Sequence, residues 1–121
     1  MTADQPPPFV CRVVKVTDAD TYRCQSGVRI RLAGAEANER KGGCHLPVCP
    51  PLPHARAKPI AERLVLHKTL TCQPVGRSFK RVVASCRLPD GQDTRCQLTS
   101  SGATVDWPAY VTRYGLKRCG R

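Results

Sequence analysis

Two short stretches concentrate the residues able to do chemistry. DADT, residues 18–21, carries Asp18 and Asp20, and RIRLAGAEANER, residues 29–40, carries Glu36 and Glu39 among its arginines. Four of the nine acids of the chain therefore stand close to Arg29 and Arg31, in a protein with twenty Lys and Arg. Such clustering is expected where a cation and a polyanion share one pocket. Hydrolysis of a phosphodiester needs those parts. A hard cation such as Ca²⁺ takes oxygen ligands and can bridge water and phosphate. A carboxylate beside it can take the water's proton. Arginines can fork the phosphoryl oxygens as charge builds on them, a planar grip that lysine lacks.

The length, 121 residues, suits one domain with a modest core. A formal charge of +11 attracts polyanions, of which nucleic acid is the commonest. Charge alone argues for binding and says nothing of cutting. Eight cysteines, an even number, point to an oxidising compartment and a secreted or periplasmic protein. The opening MTADQPPPF is polar and has no apolar h-region, so the chain is expected to be a mature form with an added Met, or else cytosolic with free thiols. No apolar run approaches the ~20 residues needed to cross a membrane, and a monomer without a membrane partner is expected.

The elements that must position these residues follow from pattern. Residues 1–8, with three consecutive prolines, read as a flexible tail, and 9–121 as a single domain. FVCRVVKV (9–16) and TYRCQ (21–25) read as strands. VRIRLAG (28–34) alternates, with Val28, Ile30 and Leu32 facing one way and Arg29 and Arg31 the other. Residues 35–53 have no periodicity and read as a long loop. Ala57, Ile60, Ala61, Leu64 and Val65 share a helical face. Pro59 fits only near a first turn, which predicts a helix over 58–67. TLTCQPV and RVVASCRL read as strands four and five, and TRCQLTSSG as a short helix ended by Gly102. Three strands, a helix, two strands and a helix predict a mainly β (α+β) chain, a five-stranded OB-fold barrel with two or three helices.

DADT, VRIRLAG, EANE and FKRVVAS (79–85), in that order and spacing, make residues 10–114 resemble the staphylococcal nuclease-like (thermonuclease) family. Its pattern is DGDT, an R-L-x-G-I-D-A-P-E block, a Y-G-R-x-x-A block, then D-G with a following helix. The resemblance implies an OB barrel and a calcium-dependent phosphodiesterase acting on DNA or RNA. It further implies Asp20, Glu36 and the Ala37 carbonyl as metal ligands, Glu39 as general base, and Arg31 and Arg81 as phosphate-binding arginines. Three supporting positions depart from the pattern. Ala19 replaces a Gly, which strains the turn if that residue needs positive φ. Asn38 replaces the Pro before the base. Glu36 is one methylene longer than the family's Asp, which should favour Mn²⁺ more than is usual there.

Plainer roles compete for several of these residues. Asp18 reads as a turn cap, Arg29 as solvated, and Trp107 as core. Tyr110 and Tyr114 could stack a base, although packing on the barrel is favoured. Arg40 and Lys41 fit a basic rim and plain surface equally. CHLPVCPPLPH (44–54) invites zinc at Cys44, His45, Cys49 and His54, but the spacing matches no standard finger, and a Cys44–Cys49 disulfide is favoured. Cys72 and Cys86 lie on expected antiparallel neighbours and should bridge; Cys11, Cys24, Cys96 and Cys119 cannot be paired from sequence. Two rival readings stand beside the nuclease: a non-catalytic nucleic-acid-binding barrel, and a disulfide-rich secreted interaction domain.

Overall fold

The computed structural model describes residues 6–119, so most of the expected tail lies outside the described residues. Five strands close a barrel: β1 (Phe9–Asp18), β2 (Thr21–Cys24), β3 (Arg29–Leu32), β5 (Thr69–Ser78) and β6 (Arg81–Arg87). Their order around the barrel is β1-β2-β3-β6-β5, with β5 pairing back onto β1. β3 and β6 run parallel and every other barrel pair is antiparallel. The result is a mainly β, OB-like barrel with three short helices. The alternation read from sequence is the one observed: Ile30 and Leu32 are buried, while Arg29 and Arg31 face outward.

The helices are α1 (His54–Val65), α2 (Thr94–Ser101) and α3 (Pro108–Arg113). α1 begins a turn earlier than predicted, with Pro53 at its N-cap, and Pro59 lies inside it rather than in its first turn. The proline is exposed, so its ring faces water while Ala57, Ala61 and Val65 bury the opposite stripe. Asp93 caps α2 by accepting from the Cys96 N–H, and Gly102 ends it at φ 86°. The expected long loop holds a further strand, β4 (Ala35–Glu36), paired antiparallel with β7 (Val105–Asp106). Two-residue strands show no alternation, so pattern alone misses them.

All eight cysteines are paired in disulfides. The expected Cys44–Cys49 and Cys72–Cys86 bridges form, with Cα atoms 5.8 and 4.0 Å apart. Cys11–Cys24 joins β1 to β2, and Cys96–Cys119 ties α2 to the C-terminal segment. With Cys44 and Cys49 oxidised, the zinc arrangement has lost its thiolates. Four disulfides are compatible with an oxidising compartment. Among the described residues no helix is long and apolar enough to cross a membrane.

Candidate nucleic-acid cleft

The β1–β2 turn presents Asp20. Tyr22, buried at the start of β2, donates its hydroxyl to the Ala19 carbonyl at 2.6 Å and fixes that turn. Burial pushes the Tyr22 pKa up; the Asp20 charge adds to this and Arg31 opposes it, so the phenol remains a donor. Ala19 carries no strain, because the only non-glycine residues with positive φ among those described are His67 and Phe79. Asp20 is itself buried. Its Oδ1 accepts from Thr21 Oγ1 at 2.9 Å and its Oδ2 from the Ala37 N–H at 3.0 Å.

A sharp turn after β3 brings Glu36 back toward Asp20. Gly34 sits at φ 73°, and a Cβ there would meet Leu116 Cδ1 at 2.6 Å, so this turn requires glycine. The chain then enters β4, and Glu36 returns to the arginine five residues upstream. Arg31 Nη2 donates to Glu36 Oε1 at 3.0 Å, and Nη1 lies 2.8 Å from Asp20 Oδ2. The second contact is an ion pair by distance without a well-directed hydrogen bond, leaving Nη1 with donor capacity.

Glu36 Oε2 takes the His45 backbone N–H at 2.6 Å and faces the ring Nδ1 at 2.8 Å. His45 Nε2 lies 3.3 Å from Glu39 Oε2. Glu39 is therefore linked to the buried pair through an imidazole, and its own side chain is half exposed. Its backbone is held by a tight turn, Glu39 N–H to Gly43 O at 2.9 Å and Gly42 N–H to Glu39 O at 2.8 Å. Asn38, which replaces the expected proline, stiffens the loop differently: its amide donates to the carbonyls of Pro50 and Leu52, at 3.0 and 2.8 Å, and so ties the two ends of the loop together. Sequence reasoning gave neither Asn38 nor His45 its place here. The signal available for His45 was its position beside Cys44 in a stapled loop.

Arg81, at the start of β6, lines the same cleft of about 290 Å³ as Arg31. Its guanidinium meets Ser78 Oγ at 3.4 Å and lies 6.0 Å from the Phe79 ring, with no acidic partner among the described residues. Trp107, Tyr110 and Tyr114 also line it. Trp107 is not core, as the sequence suggested. It is half buried and stacks on His45 at 6.0 Å, while Tyr110 stacks on Tyr114 at 5.6 Å. Asp18 does not cap its turn but faces His54 Nε2 at 3.0 Å.

Of the predicted site residues, Asp20, Glu36, Ala37 and Arg31 thus come together, with Ala37 meeting Asp20 through its N–H and not through the expected carbonyl; Arg81 shares the cleft with Arg31, and Glu39 stands one imidazole away. Two carboxylates around one guanidinium leave one net negative charge and present oxygen donors only, a set that suits a hard cation. Among the described residues no ready-made group of three or more acid, His or Cys side chains surrounds a common point. No protein-family model matches the chain, and no curated protein matches it.

Proposed function

We propose that this protein is a metal-dependent phosphodiesterase of the thermonuclease type that hydrolyses DNA or RNA outside the cytoplasm, in a secreted or periplasmic setting. The observation that carries this reading is the pairing of Arg31 with the buried Asp20 and Glu36, beside an aromatic-lined cleft that Arg31 shares with Arg81. Asp20, Glu36 and the Ala37 carbonyl would hold Ca²⁺, which when bound relieves charge on the phosphoryl group. Arg81, free of acids among the described residues, binds the phosphate, and Arg31, which lines the same cleft, adds its positive charge as charge builds. Glu39 takes the proton of the attacking water. Trp107, Tyr110 and Tyr114 give the cleft an aromatic lining against which unpaired bases pack.

A second reading, a binding barrel without catalysis, draws on a specific observation. Glu39 is half exposed and engaged by His45, and Glu36 is satisfied on both oxygens. Supercoiled plasmid and RNA, incubated with calcium and then with chelator, separate the two. The nuclease reading expects calcium-dependent nicking that chelator abolishes. Glu39→Gln should cut the rate by ~10²–10⁴-fold with DNA affinity unchanged, and Arg81→Ala should harm turnover more than binding. A wild type that binds DNA and never cuts it gives the binding barrel the stronger claim.

A further inference from the structure

Outside the cleft, the outer face of the barrel carries an uncompensated row of cations. Lys15 on β1 pairs across strands with Arg23 on β2, and Arg23 pairs with Arg29 on β3. A register shift between Val13 and Lys15 turns Lys15 outward, and all three residues are exposed. Neighbouring strands lie ~4.8 Å apart, so the row spans roughly 10 Å of sheet. Like charges directly opposite each other are unfavourable in a sheet. Among the described residues none of the three is within ion-pair distance of a carboxylate. The one acid in the groove above them, Asp18, is already turned to His54.

This groove, of about 690 Å³, also includes Lys80 and shares Phe79 and Arg81 with the aromatic-walled cleft. Phe79 stands at the tip of the β5–β6 hairpin, 93% exposed and at φ 57°, a ridge between the two hollows. Arg29 lies two residues before Arg31 on the same face of β3, about 7 Å along the strand. A chain of phosphates passing over the ridge from Arg81 would thus meet a charged row with no other partner.

We propose that Lys15, Arg23, Arg29 and Lys80 form a phosphate track for the single strand leaving the cleft. The site would then take an internal segment of a longer strand rather than a terminal di- or trinucleotide. This rests on the cleft being a nucleic-acid site, and the test is built to fail separately from the nuclease reading. Fluorescein-labelled oligothymidylates of 4 and 16 nucleotides are titrated with the full chain in chelator, with anisotropy as the readout. The wild type should bind the longer strand much more tightly. Lys15→Gln/Arg23→Gln/Arg29→Gln should lose most of that advantage and leave tetranucleotide affinity within two-fold.

At ~0.7 per neutralised phosphate on single strands, losing three contacts makes the slope of log affinity against log salt shallower by about 2. A charge-matched control, Arg56→Gln/Arg63→Gln/Lys68→Gln on and beside α1, should keep the length dependence. The track variant removes opposed like charges and should fold at least as well, which its melting curve checks. An unchanged 16-mer affinity in the track variant, or an equal loss in the control, overturns the proposal. Because no metal is present, a wild type that never cleaves still leaves the track intact or refuted on binding alone.

Discussion

Replacing Arg31 by methionine isolates the central interaction of the site, because it keeps a long apolar stem and deletes the guanidinium that bridges Asp20 and Glu36. Both acidic side chains are at most 8% exposed, and Arg31 contacts each within 3.0 Å. Removing one partner of a buried ion pair costs about 3–5 kcal/mol. The arginine side chain is 16% exposed, and Thr21, Ala37 and His45 keep donating to the two acids, so the lower end, about 3 kcal/mol, is expected. Urea denaturation measures this as a fall in midpoint at constant slope. The same variant tests the cation. The two carboxylates are left with no guanidinium, so calcium should now stabilise the fold, by about 2.7 kcal/mol at one hundred times its Kd. The wild type should respond less, since Arg31 already neutralises half of that charge. A loss below about 1 kcal/mol refutes the claim that Arg31 holds the pair together. A variant destabilised as expected but indifferent to calcium refutes Asp20 and Glu36 as the ligands.

Other perturbations follow from the same geometry. Gly34→Ala forces an L residue to φ 73° and drives a Cβ toward Leu116, so it should cost about 2 kcal/mol, again read by urea denaturation. Cys72→Ala/Cys86→Ala opens a bridge closing a 14-residue separation; it should lower unfolding free energy by about 3 kcal/mol, and the same change under reducing conditions, where the wild type has also lost the bridge, should cost far less. Glu36→Asp shortens the reach of the second ligand by one methylene, so metal titrations of cleavage should show preference moving from Mn²⁺ toward Ca²⁺; an unmoved preference removes the side-chain-length argument.

Much of the barrel was legible because its strands obey a period of two. Val28, Ile30 and Leu32 against Arg29 and Arg31 disclosed β3, and the Cys72–Cys86 bridge followed from placing two strands side by side. Cys11–Cys24 was not legible, since it depends on the register of β1 against β2, which the irregularity at Val13/Lys15 shifts. The start of α1 was hidden because two prolines, Pro53 and Pro59, each offer a plausible first turn. Asp20, Glu36 and Arg31 could be placed by spacing, whereas their mutual contacts depend on the Gly34 turn and on the two-residue pairing of β4 with β7. Trp107 was misplaced in the core because a lone large aromatic carries no facing information. It lines the cleft from the N-cap of α3, a position that pattern does not disclose.

The two disulfides within the barrel also divide its staves unequally. Cys11–Cys24 fastens β1 to β2 and Cys72–Cys86 fastens β5 to β6, while β3 is joined to its neighbours by hydrogen bonds and packing alone. Four of the five strands are thus welded into two covalent pairs. The fifth, which carries Arg31, has only its own chain connections as tethers. Partial openings of the native state should therefore begin at β3, by separation of its parallel seam with β6, well before the stapled pairs come apart. The stave that presents the central guanidinium is the one the oxidised barrel leaves most able to breathe.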